Sequence, residues 1–540
     1  MKNYKNILLG WVLCIFSLQD AAAQIITKSI IEFGAKPESG FNNATAIQQA
    51  IDAVSAAGGG TVLVPSGIFV TGSIELKSDV NLHLQEGAII KGSDKRKDYE
   101  GKIKPALIVA ARQHNISITG NGIIDGNGRD LMKDIFKRLE EGTLTDPAWK
   151  LTRPGEGTRT NLTYFEDCNN INVTGVTFKD ATSWVTHYER CRNITIDSIR
   201  LESVAYWNND GIDIVDCKNM RITNSYINAA DDAICLKSAR RDDFCDSIFI
   251  DNCTLRSSAN AFKLGTGSIG GFKNITMSNI KVFDTYRSAI ALEAVDGGFL
   301  ENIDIRNVVA TNTGNAILIR LGHRNKDDVY STVKNIYIAN VKVSIPEHKP
   351  DAGYETEGPL LMYPPDFKPV EGKYISVSPW NYKEKMPGVT LYEHNVFPSS
   401  ITGLPGHAVE NVVLENIEIT YQTKADKNVN YFPLDSFNVI TEATNDYPEF
   451  SMFGEVPVWG LYVRHVKGLT LKNITAKMEG SDYRSALLMN DVADVSVDKL
   501  KVTGKLTEPV LVFNKVKLLK FKNIKVPGKK KSVLKINDVQ

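Results

Sequence analysis

A short sequence pattern recurs along this chain. In each copy, a small or apolar residue is followed by polar residues and then by an isoleucine or methionine. Clear copies are Asp167-Cys168-Asn169-Asn170-Ile171, Arg190-Cys191-Arg192-Asn193-Ile194, Asp216-Cys217-Lys218-Asn219-Met220 and Phe244-Cys245-Asp246-Ser247-Ile248. The apolar anchor falls at positions 168, 191, 217, 245, 272, 300, 333, 409, 466, 492 and 516. The first seven are 23 to 33 residues apart, which is typical of one coil of a solenoid whose repeats bury their apolar edges by stacking.

A second repeated pattern lies between these phrases, with a small residue followed by alternating apolar positions. It occurs as Asn209-Asp210-Gly211-Ile212, Asp231-Asp232-Ala233-Ile234, Ala259-Asn260-Ala261-Phe262, Arg287-Ser288-Ala289-Ile290 and Gly314-Asn315-Ala316-Ile317. Such alternation is typical of a strand with one buried face. Stacked coils place equivalent positions about 4.8 Å apart. The register therefore predicts that Asp210 lies directly above or below Asp232, with Asp231 beside them.

The two patterns together predict an all-β fold, a single-stranded right-handed parallel β-helix that runs from about residue 27 to 525. Near the N-terminus, Ile47, Ile51 and Val54 recur at helical spacing between residues 46 and 57, and Gly58-Gly59-Gly60 follows. This segment predicts an amphipathic helix that caps the open end of the solenoid and covers its strand edges.

The coil register is interrupted twice, at about residues 343–408 and 420–465. Both interruptions are longer than a coil and rich in aromatic residues and prolines. Long loops on a regular scaffold often carry function. We interpret residues 24–540 as one domain with two loop insertions, whose aromatic residues either pack the loops onto the scaffold or form the wall of a carbohydrate groove.

The N-terminal residues have the features of an export signal. Lys2 and Lys5 precede an apolar run from Ile7 to Leu18, and Ala21-Ala22-Ala23 supplies a small-residue cleavage pattern. A lipoprotein anchor at Cys14 is the weaker alternative, because the residues before it are not small. We expect a signal peptide at residues 1–23 and a periplasmic or secreted protein, since no later stretch is apolar enough to cross a bilayer.

Charge and cysteine content narrow the possible partners. Lysine plus arginine and aspartate plus glutamate both number 63, so no global field favours nucleic acid or a membrane surface. Six of the seven cysteines lie after the predicted cleavage site. Four of them occupy the apolar anchor position, where a thiol behaves as a small hydrophobic side chain. Stacked free thiols are therefore expected rather than the disulfides that export would otherwise suggest.

Three carboxylates in one patch, Asp210, Asp231 and Asp232, need an explanation. Like charges packed together raise the pKa of at least one member, which suits an enzyme that needs one protonated and one ionised carboxyl group. A calcium site is the structural alternative, because carboxylates are also calcium ligands. Glycoside hydrolysis is the reaction that most directly requires such a pair.

The motifs around these residues resemble those of glycoside hydrolase family 28, the polygalacturonase family. Asn208-Asn209-Asp210-Gly211 is similar to its Asn-Thr-Asp-Gly motif, Ala230-Asp231-Asp232 to its Gly-Asp-Asp motif, and Trp184-Val185-Thr186-His187 to its tryptophan-histidine coil. The resemblance implies that Asp231 is the general acid, and that Asp210 and Asp232 hold and deprotonate the attacking water, with inversion at the anomeric carbon. It implies a pectic polysaccharide or oligosaccharide as substrate, and we expect neither a metal nor another cofactor.

Two family motifs are altered in this chain. Thr266 stands where the family has a histidine, and Ala291 and Glu293 align with an arginine and a lysine that bind a galacturonate carboxylate. A glutamate there predicts weak action on unbranched polygalacturonate, and favours an exo-acting or a rhamnogalacturonan- or branch-specific enzyme. We expect His187, Asn209, Lys237, Lys263, Thr266, Glu293 and Arg320 to contact substrate.

Two other functions fit the same scaffold. A polysaccharide lyase or epimerase would need a cation to neutralise a uronate and a basic group to accept a proton, and would release an unsaturated product in the lyase case. A non-catalytic glycan-binding β-helix has no need to stack carboxylates. The aspartate cluster favours hydrolysis over both.

Overall fold

The computed structural model describes residues 26–147, 149, 154–204, 206, 208–347, 395–428, 431–507, 509–528 and 532–540. The predicted signal peptide lies outside the described residues, as does most of the predicted insertion at 343–408. No helix within the described ranges is long and apolar enough to cross a membrane.

Short strands build the first coils, two or three to a coil. They are β1 (Ile26–Ser29), β2 (Gly60–Val64), β3 (Gly67–Thr71), β4 (Ile74–Glu75), β5 (Val80–Leu84), β6 (Ala88–Gly92), β7 (Ala106–Ala111), β8 (His114–Gly120), β9 (Ile123–Asp125), β10 (Asn161–Glu166), β11 (Asn169–Thr174), β12 (Thr177–Lys179), β13 (Thr186–Glu189), β14 (Arg192–Asp197), β15 (Arg200–Ser203), β16 (Ile212–Val215), β17 (Lys218–Thr223), β18 (Tyr226–Ala229), β19 (Ile234–Ser238), β20 (Cys245–Asp251), β21 (Thr254–Ser257) and β22 (Phe262–Ser268).

Longer strands, several of which continue around the turns, form the later coils. They are β23 (Gly271–Ala294), β24 (Phe299–Leu321), β25 (Thr332–Ile345), β26 (Ser399–Thr402), β27 (Val409–Tyr421), β28 (Val458–Asp482), β29 (Ser485–Leu506), β30 (Leu511–Lys522) and β31 (Val533–Lys535). Neighbouring coils pair in parallel, as in the series β10–β13–β16–β19–β22–β23–β24–β26–β28. The predicted right-handed parallel β-helix is confirmed.

The predicted anchor residues form one stacked column inside the solenoid. Backbone hydrogen bonds link the coils of Cys168, Cys191 and Cys217 in turn. Strand register then pairs Cys245 with Phe272 and continues through Leu300 to Val333, and later from Val409 through Val466 and Val492 to Val516. All are buried, and the six cysteines of the described residues are free thiols. The anchors therefore contribute to one continuous apolar core.

Asparagine ladders run along the turns. Asn274, Asn302 and Asn335 all adopt a left-handed backbone with φ near 57°, which asparagine tolerates better than most residues. The Asn302 amide donates to Asn274 Oδ1 at 3.1 Å, and the Asn335 amide donates to Asn302 Oδ1 at 3.2 Å. A second ladder repeats this arrangement in another turn, from Asn224 and Asn252 and from Asn279 through Asn473.

Helix α1 (Ala44–Ala56) closes the N-terminal end, as predicted. It buries Ala46, Ile47, Ala50, Ile51 and Val54 against the first coil. It ends where Gly58 adopts a φ of 91°, a left-handed conformation that glycine reaches without a steric penalty. The amphipathic pattern is thus explained by the need to cover the first strand edges. A second helix, α2 (Gly128–Glu140), lies in the long segment between β9 and β10, which is called the excursion before β10.

The second predicted insertion contains a segment, residues 431–457, that lies across the side of the solenoid and is called the strap below. Two buried arginines of the coils fix its backbone. Arg320 donates to the carbonyl oxygens of Glu442 and Ala443 at 2.7 and 2.9 Å, and Arg464 donates to that of Ile440 at 2.9 Å. Phe437, Ile440 and Val456 of the strap also pack in an apolar cluster with the last coils. The strap is therefore a packed part of the fold.

Candidate active site

Two adjacent coils carry the predicted carboxylates, immediately before β16 and β19. The Gly211 N–H donates to the Asp232 carbonyl at 2.9 Å, and the Asp231 N–H donates to the Asn209 carbonyl at 3.3 Å. Carboxylate oxygens of Asp210 and Asp232 come within 4.8 Å of each other. A Cβ atom added to Gly211 would lie 2.4 Å from the Ala233 carbonyl oxygen, so the close approach of these coils requires glycine there.

Specific partners hold Asp231 and Asp232 in place. Asp232 Oδ1 accepts from the backbone and side-chain amides of Asn260 at 3.0 and 2.8 Å, and its Oδ2 lies 3.0 Å from Lys263 Nζ. Asp231 accepts from the Asp232 N–H at 3.0 Å and from Asn208 Nδ2 at 3.3 Å. One aspartate is therefore fixed by a buried cation, while the other is bound by neutral donors.

Lys237 holds the third carboxylate. Its ammonium group lies 3.0 Å from Asp210 Oδ2 and 2.5 Å from Asp213 Oδ1, and 4.2 Å from the centre of the Trp184 ring. Burial raises the pKa of Asp210 well above its usual value, and that of Asp213 to about 7. Lys237 opposes both shifts, because a nearby cation favours the ionised carboxylate.

The environments of Asp231 and Asp232 shift their pKa values in opposite directions. Burial and the negative charge of Asp232 raise the pKa of Asp231. Burial alone would also raise the pKa of Asp232, but the charges of Lys263 and Lys237 outweigh it and lower the value. Two neighbouring carboxyl groups whose pKa values are shifted in opposite directions suit a general acid, Asp231, and a general base, Asp232.

A pH profile tests this division. If Asp231 acts as the acid and Asp232 as the base, kcat/KM is expected to fall as pH rises through the raised pKa of Asp231. It is also expected to fall as pH decreases through the lowered pKa of Asp232. In Lys263→Met the acid limb should move to higher pH, because Asp232 loses the cation that lowers its pKa. An acid limb that stays in place would remove Asp232 from the base role.

The carboxylates open into a cleft of about 620 Å³ that is rich in charged groups. Its wall comes from several coils, from the excursion before β10 and from the strap, and its lining includes Glu156, Trp184, Asn208, Asp210, Asp231, Asp232, Lys237, Ser258, Ala259, Lys263, Thr266, Arg287, Arg324, Tyr447 and Glu449. Tyr447 of the strap accepts a hydrogen bond from Lys263 Nζ at 2.9 Å. A polar, partly exposed cleft of this kind suits a hydrophilic substrate such as a charged saccharide.

The calcium alternative does not fit the donor set. Within the described part of the chain, Asp210, Asp232 and Cys235 form the one group of carboxylate, thiol or imidazole side chains close enough to share an ion. Calcium prefers six to eight oxygen ligands, whereas this group contains a thiol. Lys237 Nζ also lies 3.1 Å from Cys235 Sγ, so an ammonium group already supplies positive charge there.

Some of the predicted substrate-binding residues line the cleft, and others lie behind it. Lys237, Lys263 and Thr266 line the cleft. Asn209 is fully buried, and its amide donates to the carbonyl oxygens of Ala181 and Ser183 at 3.1 and 2.8 Å. His187 lies behind Trp184 with ring centres 4.9 Å apart, and burial lowers its pKa well below the usual value. Asn209 and His187 therefore support the site from behind.

The structure also corrects the expected contacts of Glu293 and Arg320 with substrate. Glu293 is 0% exposed, and burial raises its pKa to about 8. Arg320 is 1% exposed and bonded to the strap backbone. Both residues share one column through the pairing of Glu293 with Arg320, but the strap and neighbouring coils cover that column. The expectation that Glu293 repels a galacturonate from the cleft is therefore wrong.

Several cleft residues were not predicted from the sequence. Arg287 occupies the same position of the repeated pattern as Asp231, which was a usable signal. Glu449 belongs to the strap, whose path has no periodic pattern. Tyr447, also in the strap, is one of the insertion aromatics expected either to pack the loop or to form the wall of a carbohydrate groove, and it lines the cleft. Arg324 lies just after β24 and also lines the cleft. It forms two hydrogen bonds with Asp296 at 2.9 and 3.0 Å.

Comparisons with known proteins identify the family of this chain. Residues 54–346 match the model of the family described as "Glycosyl hydrolases family 28". An exo-poly-alpha-D-galacturonosidase of Dickeya chrysanthemi is 25% identical over 350 residues, which are 55% of this chain and 58% of that enzyme. A probable polygalacturonase of Vitis vinifera is 25% identical over 422 residues, 74% of this chain and 75% of that protein. The chain thus spans less than two thirds of the length of the Dickeya enzyme.

Solved structures share the fold. A hyperthermoactive exopolygalacturonase of Thermotoga maritima aligns with a TM-score of 0.56 at 22% identity, covering 74% of this chain and 88% of that one. A family 28 exopolygalacturonase of Yersinia enterocolitica aligns with a TM-score of 0.51 at 18% identity, covering 94% and 79%.

Proposed function

Because this chain belongs to glycosyl hydrolases family 28, we propose that it is an inverting glycoside hydrolase of pectic saccharides, exported through the predicted signal peptide at residues 1–23. The observation that carries the proposal is the arrangement of the aspartates in one cleft, where Asp232 lies 3.0 Å from the Lys263 ammonium group and Asp231 accepts hydrogen bonds from neutral donors. A protonated and an ionised carboxyl group, held side by side on one coil with Asp210 on the next, are the two groups that a single displacement at an anomeric carbon requires.

The proposed reaction uses each aspartate once. Asp231 donates its proton to the glycosidic oxygen as the bond to the leaving sugar breaks. Asp232, with Asp210 beside it, accepts a proton from a water molecule that attacks the opposite face of the anomeric carbon. Lys263 and Lys237 keep Asp232 and Asp210 in position and balance their charge.

Cleavage at a chain end is supported by the strap. Tyr447 and Glu449 project from it into the cleft wall, where they contact Lys263 and Arg287. A wall that crosses the line of coils limits how far a polymer extends past the carboxylates. The Dickeya relative carries an exo-acting name, in agreement with this proposal.

An acidic substrate is now preferred over a neutral one. The expectation of weak action on unbranched polygalacturonate depended on Glu293 facing the cleft, and Glu293 is buried. The cleft is lined by five carboxylates, of Glu156, Asp210, Asp231, Asp232 and Glu449, and by four cations, Lys237, Lys263, Arg287 and Arg324. Of these cations, Arg287 has the longest ion-pair contact, at 3.5 Å. Cations at a binding surface favour anionic partners, which supports a galacturonate-containing saccharide, branched or unbranched.

Lyase chemistry is less well supported. It requires a basic group free to accept a proton, and the candidates beside the carboxylates are Lys263 and Tyr447. Burial lowers the pKa of Lys263, but Asp232 and Tyr447 outweigh that effect and raise the value well above normal. Burial also raises the pKa of Tyr447. Both groups therefore keep their protons near neutral pH.

Product analysis tests the proposal. The purified protein is incubated with pectic polysaccharides and oligosaccharides, and proton NMR follows the first-formed reducing end. We expect release of a terminal sugar with inverted anomeric configuration. A retained anomer would contradict the single displacement, and an unsaturated product that absorbs in the ultraviolet would identify a lyase.

A further inference from the structure

The repeated pattern before the site strands places Arg287 in line with the acid Asp231. Strand register pairs Ile234 with Phe262, and Phe262 with Ile290. Three residues earlier on each coil, Asp231, Ala259 and Arg287 therefore occupy one column. The Arg287 N–H donates to the Ala259 carbonyl at 2.8 Å, which fixes this alignment.

The middle member of the column leaves space. Ala259 lines the cleft and carries only a methyl group. Two coil steps of about 4.8 Å separate Asp231 from Arg287, or about 10 Å between their Cα atoms. With free space above Ala259, this distance accommodates one sugar ring. The bond to be cleaved would lie at Asp231, and the substituent on the opposite side of the ring would lie at Arg287.

Arg287 differs from the other cations of the cleft in its bonding. Lys237 and Lys263 are engaged with aspartates at 3.0 Å or less, and Arg324 forms two hydrogen bonds with Asp296. Among the described residues, the recorded ion-pair partner of Arg287 is Glu449, at 3.5 Å, and the Arg287 Nε–H has no hydrogen-bond partner. A guanidinium group has five donors in a planar fork that matches a carboxylate.

Glu449 of the strap supplies the carboxylate that now faces this arginine. It lines the cleft, and its side chain is one third exposed. At 3.5 Å the Glu449–Arg287 contact is longer than the 2.7–2.9 Å of a charge-assisted hydrogen bond. Glu449 Oε2 is therefore close enough to balance the charge of Arg287, while Glu449 Oε1 accepts a hydrogen bond from Ser451 at 3.0 Å. The length of the Glu449–Arg287 contact allows a substrate carboxylate to replace it at the arginine.

We propose that Arg287 binds the carboxylate of the uronic acid residue at the cleavage site, and that Glu449 competes with this carboxylate. The inference rests on the proposed function, because it names the sugar that the same cleft takes. It makes Arg287 and Glu449 specificity-determining residues with opposite effects. Removing the arginine weakens binding of the acid, and removing the charge of Glu449 strengthens it.

The test uses trigalacturonate and its methyl ester with the full-length protein. Wild type is expected to favour the free acid. Arg287→Gln should raise KM for trigalacturonate by about tenfold to a hundredfold, as for loss of a charged hydrogen bond, and should leave KM for the methyl ester unchanged. Glu449→Gln should lower KM for the acid several-fold. Arg240→Gln serves as control, because Arg240 is about half exposed and pairs with Asp242.

Binding measured without turnover separates this inference from the proposed function. Calorimetric titration of trigalacturonate into Asp231→Asn, with and without Arg287→Gln, should show the same loss of affinity. Arg287→Lys keeps the positive charge but lacks the planar guanidinium group. In the Asp231→Asn background, its affinity for trigalacturonate should fall between those measured with arginine and with glutamine at position 287. Equal affinity with and without Arg287 would overturn the inference even if the wild type hydrolyses the substrate. Absence of hydrolysis with Arg287-dependent binding would overturn the proposed function alone.

Discussion

Replacing Asp231 by asparagine is expected to lower kcat by about 10²- to 10⁴-fold while the protein stays folded, because the leaving sugar then departs without a proton donor. Asparagine has nearly the same shape and no charge. Burial already raises the pKa of Asp231, so the neutral amide costs the fold little. Steady-state kinetics on a pectic oligosaccharide and a thermal unfolding scan measure the two quantities.

A substrate with a good leaving group sharpens this prediction. A nitrophenyl galacturonide needs little protonation to depart, so Asp231→Asn should recover most of its loss on it. Asp232→Asn should not recover, because its missing step is the activation of water, and Asp210→Asn should behave in the same way. Asp304→Asn, on the outer face of the solenoid, is the control. If Asp231→Asn kept most of its activity on the natural linkage, the acid assignment would be wrong.

Replacing Arg484 by methionine is expected to destabilise the protein by about 3–5 kcal/mol, which is typical when one member of a buried ion pair is removed. Arg484 is fully buried. It donates to Asp482 at 2.7 and 3.0 Å and to Glu455, at the C-terminal end of the strap, at 2.9 Å. The variant would leave two buried carboxylates without a cation.

The chain contains a matched control for this change. Arg306 pairs with Asp304, also two residues before it, through two hydrogen bonds of 2.6 and 2.8 Å, but its side chain is about half exposed. Arg306→Met is expected to cost less than about 1 kcal/mol. Urea denaturation of both variants measures the difference, and equal effects would show that burial does not control the cost.

The sequence predicted the periodic parts of the molecule and missed the rest for a physical reason. Cys168 and Val516 were placed in one column because each coil repeats the same local pattern. The adjacency of Asp210 and Asp232 followed from the same register. The burial of Glu293 and Arg320 did not, because the strap that covers this column comes from an insertion without periodicity. The position of a residue along the solenoid axis was therefore predictable, but its burial beneath an insertion was not.

The spacing of the carboxylates is set by hydrogen bonds between neighbouring coils, whereas the far wall of the cleft is set by the strap. Among the described residues, these two parts meet at side-chain contacts such as Lys263–Tyr447 and Arg287–Glu449, whereas the hydrogen bonds between the coils do not involve the strap. A change in the strap would therefore alter which saccharide fits without changing the spacing of Asp210, Asp231 and Asp232. Such independence gives this architecture a route to new substrates that leaves the bond-breaking step intact.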